Sequence, residues 1–338
     1  MGENSMLSLE TINLASVDTE EYLHLLNLHI DQDEHPERMR VFFLKTKDPY
    51  SQCVGLEYML MHGYLKDLRA LIENNNQSEH ALNREWARFY QLILKSQKKS
   101  IDYENLLIEM EVFKTEDIAL KCIKLFMLIS IHFRLRENGQ VANVMDVLMD
   151  KIRLVEHPIL QPLLRQRLEL VSFNYYWKGN QVILARKHGF NALDIITNPR
   201  YIANLHVNLG LSYIFDDFES AKYHLYEGLN LAKQKNFERV IRITENHNLP
   251  FIYAHFNQPE GITTPIKSEQ AHLEIARENL EKAQKILSEV TEDTPFTKYY
   301  LGRAYQDRSL LIQSYNEFLH QRSDHFFARL PLTALNEM

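Results

Sequence analysis

The sequence predicts an all-α protein, a right-handed superhelix of degenerate tetratricopeptide-like helical hairpins. Three observations carry that expectation. Gly and Pro number only 10 each in 338 residues, too few to punctuate a β-rich fold. Apolar residues recur at three- and four-residue spacing from Leu23 onward, in segments separated by short polar breaks. Two stretches also repeat one small-and-large pattern, which is the signature of stacked helix pairs.

The breaks set the order of the elements. They fall at His35-Pro36, Asp48-Pro49, Glu73-Asn74-Asn75-Asn76, Glu137-Asn138-Gly139, His157-Pro158, Lys178-Gly179-Asn180, Thr197-Asn198-Pro199, Phe215-Asp216-Asp217, Pro259-Glu260-Gly261 and Glu292-Asp293-Thr294-Pro295. None is long enough to be a flexible interdomain linker. Between them, Leu60 to Ile72 and Ile118 to Phe133 read as helices of the N-terminal half, where no repeat register is evident.

The repeat pattern is clear in the C-terminal half. Leu209, Gly210 and Tyr213 take the leucine, glycine and tyrosine positions of a first helix, and Ala221 and Leu225 the small and bulky positions of a second. Leu301, Gly302, Tyr305, Ser314 and Phe318 repeat the arrangement. Weaker copies run from Trp177 to Ala192, with Ala185, Gly189 and Ala192 as the small face, and from His272 to Leu287, with Ala276 and Ala283. Residues 41–338 therefore read as one solenoid with a concave binding groove, preceded by an acidic helical segment over residues 1–40. That segment holds nine carboxylates against Arg38 and Arg40.

The formal net charge is −7, which disfavours a nucleic-acid backbone as partner without a local basic patch, and none stands out. No apolar run has membrane-spanning length and no secretory leader is apparent, so a cytoplasmic protein without membrane contact is expected. Cys53 and Cys122 lack metal or redox spacing and read as buried thiols.

No phosphate loop, nucleophile elbow, zinc spacing or dinucleotide fingerprint is present, so neither an enzyme nor a cofactor is expected. The 15 histidines include no H-E-x-x-H pair. Asp216-Asp217-Phe218-Glu219 is similar to the acidic motif of all-helical prenyl-transfer enzymes. It lacks the last aspartate, lies in a predicted turn and has no second acidic box, so it reads as a turn and helix cap.

What remains is a binding constellation. Arg200, Asn204 and Asn208 are spaced i, i+4, i+8 and form one stripe on a helix. Asparagine amides both donate and accept, so such a ladder can hold an extended peptide backbone, while an arginine can clamp a carboxylate. Arg242, Glu245, Asn246 and Leu249 read as the corresponding stripe on the following helix. A solvated face without ligand is the alternative reading of both stripes.

Glu269-Gln270-Ala271-His272, Tyr299-Tyr300-Leu301, Ser323-Asp324-His325-Phe326 and Arg329-Leu330-Pro331-Leu332, with Gly55-Leu56-Glu57-Tyr58 upstream, give the chain a resemblance. From residue 40 onward it resembles the arbitrium receptor (AimR) family of temperate Bacillus phages. The resemblance implies a tetratricopeptide-type receptor for a short signalling peptide, whose binding controls attachment to a DNA operator and so the lysis–lysogeny choice. Residue by residue, it implies that Asn174, Arg200, Glu269 and Asp324 line the peptide groove. Arg200 would meet a peptide carboxylate, Asp324 and Glu269 a basic side chain or amine, and Asn174 the backbone. Leu211 and Lys178 stand where the family pattern has asparagines, which implies a different peptide.

The resemblance also implies an N-terminal helix-turn-helix, of which Leu7 to Ala15 and Thr19 to Ile30 read as a remnant. It implies a homodimer formed with a leucine-rich terminal helix, whereas this chain ends Ala334-Leu335-Asn336-Glu337-Met338. The contrasting expectation is a tetratricopeptide adaptor that binds a partner protein and neither a small peptide nor DNA.

Overall fold

The computed structural model describes residues 13–97 and 100–338 and contains only helices and turns among them. Of the candidate helix-turn-helix remnant, residues 7–12 lie outside the described residues. The chain forms two compact units, residues 1–135 with 139–167, and residues 136–138 with 168–338.

In the first unit the helices are α1 (Thr19–His29), α2 (His35–Lys45), α3 (Pro49–His62), α4 (Leu65–Asn76), α5 (Ala81–Ser96), α6 (Tyr103–Val112), α7 (Ile118–Leu135) and α8 (Asn138–Ile152). The predicted breaks work as caps: Asp48 accepts the Ser51 N–H, and Pro49 opens α3 at a position where no backbone donor is needed. The helix expected from Leu60 to Ile72 is two helices. Gly63 adopts φ 81°, open to a residue without Cβ, and ends α3 there. Trp86, Phe89 and Tyr90 of α5 are fully buried, as are Leu56 and Met59 of α3 and Leu68 of α4, and α5 packs on both of those helices. Within this unit the carboxylate of Glu57 is wholly buried and paired with Arg167 and the Tyr90 hydroxyl.

α9 (Leu160–Lys178) gives residues 160–167 to the first unit and the rest to the second. The second unit continues with α10 (Val182–Ile195), α11 (Pro199–Ser212), α12 (Phe218–Gln234), α13 (Glu238–Ile243), α14 (Leu249–His255), α15 (Lys267–Ala276), α16 (Leu280–Leu287), α17 (Pro295–Tyr305), α18 (Arg308–Asn316) and α19 (Arg329–Glu337). Helices adjacent in sequence pack as pairs, α11 on α12, α15 on α16 and α17 on α18.

Gly210, one of the small positions named from sequence, is a crossing point, and so is Gly228. A Cβ on Gly210 would lie 2.8 Å from the Ala221 carbonyl oxygen, and one on Gly228 2.7 Å from that of Ala203, so α11 and α12 touch backbone to backbone. In the C-terminal copy a Cβ on Gly302 would lie 2.7 Å from the Leu311 side chain and 3.1 Å from its backbone nitrogen, and Tyr305, expected to pack, is half exposed. Asp217 caps α12 through the Ser220 N–H, as the turn-and-cap reading expects.

The stripe expected from Arg242 to Leu249 does not form. A π turn, Thr244–Asn248, separates α13 from α14 and adds a residue to the turn, so Arg242 is exposed while Leu249 is buried. Its cause is local. Pro250 has no N–H to give to the Asn246 carbonyl, and the Thr264 hydroxyl donates to that oxygen instead, at 2.6 Å.

Candidate functional site

All six candidate residues belong to the second unit. Asn174 sits on α9, Arg200, Asn204 and Asn208 on α11, Glu269 on α15, and Asp324 in the turn before α19. α11 is launched by Asn198, whose side chain accepts the Arg200 N–H at 3.0 Å, and by Pro199 in its first turn. This fixes where the stripe begins.

Arg200 and Asn204 are exposed and Asn208 is half-buried. The Asn204 amide donates to the Arg200 carbonyl at 2.7 Å, closing one turn of the stripe. The Arg200 guanidinium carbon lies 4.5 Å from the Phe237 ring centroid, a cation–π contact that orients the group without neutralising it. Among the described residues no carboxylate is within ion-pair reach of it. Asn174 is half-buried and donates to the Leu170 carbonyl at 2.9 Å, which leaves its amide oxygen available.

The two candidate carboxylates are buried, and their surroundings differ. Glu269 accepts from the Tyr300 hydroxyl at 3.2 and 3.3 Å and has no cationic partner among the described residues. Burial pushes its carboxyl up to about 8, with the Tyr300 hydrogen bond opposing in part. Asp324 is ion-paired to the Lys178 ammonium and also accepts the Phe327 N–H at 3.1 Å. The structure therefore brings Asp324 to Lys178, brings Arg200 to Asn204, and gives Glu269 a tyrosine.

Aromatic rings join the two carboxylates. Tyr300 stacks on His272 at 4.4 Å, His272 meets Phe251 at 5.4 Å, Phe251 meets Phe327 at 6.3 Å, and Phe327 lies beside Trp177 at 5.8 Å. His272 is fully buried with both ring nitrogens unpaired, and burial together with the charge of Arg303 holds it well below the usual imidazole range. His255 is lowered to about 4, first by burial, and its Nε2 lies 2.7 Å from the Ile214 carbonyl oxygen.

Sequence reasoning did not assign Phe237, Tyr300 or His272 to the site. His272 was within reach, because it lies three residues after Glu269 on the same helix face. Phe237 and Tyr300 had no local signal, since each meets its partner across a fold-dependent contact. Lys178 was noted as a departure, but its attachment to Asp324 spans 146 residues of sequence.

Among the described residues no group of three or more His, Cys, Asp or Glu side chains is arranged to hold a metal ion, and no helix is long and apolar enough to cross a membrane.

Residues 35–337 match the family model described as AimR transcriptional regulator-like. The AimR transcriptional regulator of Bacillus phage phi3T is 23% identical over 327 residues, covering 92% of this chain and 84% of that protein. An uncharacterized protein of Bacillus anthracis is 23% identical over 239 residues, 65% of this chain and 85% of its own. Two solved structures share the fold. phAimR with ligand superposes with a TM-score of 0.77 at 20% identity, covering 97% of this chain and 99% of that one. Selenomethionine phAimR gives 0.71 at 20% identity over 97% and 87%. With nine-tenths of its length inside the family model and its hairpin fold shared with two AimR structures, the chain belongs to the AimR transcriptional regulator-like family, one of regulators and not of enzymes.

Proposed function

We propose that this chain is an intracellular, cytoplasmic receptor for a short phage signalling peptide, and that peptide binding controls transcription in the lysis–lysogeny decision. The sensing function lies in the solenoid of residues 41–338, with Asn174, Arg200, Asn204, Asn208, Glu269 and Asp324 as the binding residues, and the active species is a homodimer acting at a DNA operator. The observation that carries the reading is Arg200: an exposed guanidinium with no carboxylate partner among the described residues, at the head of an asparagine stripe. An extended peptide ending on Arg200 would give its C-terminal carboxylate a charge-assisted pair while Asn204 and Asn208 hold its backbone. The ligand-bound state of phAimR supports a ligand for this fold. Peptide binding would act by favouring one conformation of the receptor over another, by as much as its affinities for the two differ.

The test is isothermal titration of the full chain with synthetic peptides from the C-terminus of the small precursor encoded beside its gene. An Arg200→Ala variant is titrated in parallel. Saturable binding that the variant weakens by about a hundredfold, the scale of a lost charge-assisted anchor, is the expected result. No binding to either protein, with a partner protein recovered instead, would move the function to the adaptor class.

A further inference from the structure

Lys178 is tied to the Asp324 turn twice. Its ammonium pairs with Asp324 Oδ2, and its backbone carbonyl accepts the His325 N–H at 2.9 Å. The other oxygen of Asp324 is taken by the Phe327 N–H, and the Asp324 N–H itself goes to the Phe318 carbonyl at 2.8 Å. The Asp324 side chain is 4% exposed, whereas that of Lys178 is 33% exposed. The ammonium is further walled by the rings of Trp177 at 5.3 Å and Phe327 at 5.6 Å. A second cation, Arg322, lies close enough for Asp324 to act on its charge. This carboxylate is therefore charge-balanced from inside the chain. Glu269, at the far end of the same row of rings, is not.

We propose that Lys178 is a specificity-determining residue: it supplies in cis the cation that Asp324 requires, so the peptide position facing Asp324 carries a neutral side chain and a basic one is rejected. The inference rests on the peptide-receptor reading and deepens it. An asparagine at position 178 would leave a buried negative charge for the ligand to neutralise, and a basic side chain would be favoured. With lysine there, a ligand arginine or lysine would have to displace an existing ion pair or share one carboxylate with two cations, and either costs affinity.

The test is a synthetic positional-scanning hexapeptide library, screened against the wild-type chain, Lys178→Asn, and the double variant Lys178→Asn/Asp324→Asn, with far-UV circular dichroism to confirm folding. The tightest hexapeptide and its counterpart with arginine at the discriminating position are then titrated. Wild type is expected to prefer the neutral peptide by roughly tenfold or more, Lys178→Asn to reverse the preference, and the double variant to lose it. The double variant buries no unpaired charge, so it reports on discrimination even where the single variant fails to fold. The same positional preference in wild type and the folded variants, or a wild-type preference for arginine, overturns the inference while leaving the receptor reading intact. If no hexapeptide binds any of the three, the receptor reading falls and takes this inference with it.

Discussion

Arg167 grips Glu57 with two parallel hydrogen bonds, Nε to Oε1 at 2.5 Å and a terminal nitrogen to Oε2 at 2.8 Å, and Glu57 has no solvent exposure. Such a fork is specific to guanidinium, and removing it strands a buried charge whose remaining hydrogen bond among the described residues is from the Tyr90 hydroxyl. Arg167→Ala is expected to lower stability by about 3–5 kcal/mol in urea unfolding. Arg167→Lys should recover only part of the loss, because an ammonium cannot bond both oxygens in one plane. A loss below about 1 kcal/mol, the scale of exposed pairs, would show the pair to be solvated.

The α11 and α12 contact predicts an asymmetry among glycines. Gly228→Ala drives a methyl group to 2.7 Å from a carbonyl oxygen and should cost about 1–3 kcal/mol. Gly139 lies within α8, and a Cβ there meets nothing within 4 Å. Gly139→Ala should therefore be neutral or stabilise by up to about 1 kcal/mol through helix propensity. Thermal melts of the two variants side by side would read the difference, and equal shifts would contradict the close approach.

Glu269 predicts a pH dependence of stability. Its folded carboxyl titrates at about 8, above the ordinary value of 4.5, so between those limits the folded state holds a proton that the unfolded state has lost. This contribution is complete at low pH, falls as pH rises from 4.5 to about 8, and is flat above. Relative to wild type, Glu269→Gln should gain about 1.4 kcal/mol per pH unit through that window. The comparison cancels His255 and His224, both lowered to about 4, whose effect runs the other way. Parallel pH profiles for the two proteins would rule out the buried acid.

Both thiols should be inert in the native protein. Cys53 and Cys122 are fully buried, and burial raises Cys122 to about 12 and Cys53 further, which suppresses the thiolate that reacts. Ellman's reagent is expected to titrate neither thiol in buffer and both in guanidinium chloride. One fast-reacting thiol in the folded chain would place it at the surface.

The hairpins of the second unit were legible because their signal is local. Gly210, Ala221 and Leu225 lie within 16 residues, and small residues at a helix crossing are required wherever the backbones meet. The α11 stripe was legible for the same reason. Local pattern could not reveal the π turn at Thr244–Asn248, whose residues keep helical spacing and whose cause combines Pro250 with the distant Thr264. Nor could it reveal that Lys178 pairs with Asp324, or that Tyr300 covers Glu269. Both residue sets were visible as composition, but which charge is balanced and which is left open depends on tertiary contact.

The backbone contact between Gly210 and Gly228 and the facing helix bears on how the Arg200 stripe behaves. Side-chain interfaces yield by rotamer exchange, but two main chains pressed together have no rotamers to exchange, so α11 and α12 travel as a single beam. The intervals between Arg200, Asn204 and Asn208 are then those of a stiff gauge, set before any ligand arrives. On the proposed reading, a peptide longer or shorter by one residue would meet marks that do not move and is expected to bind more weakly.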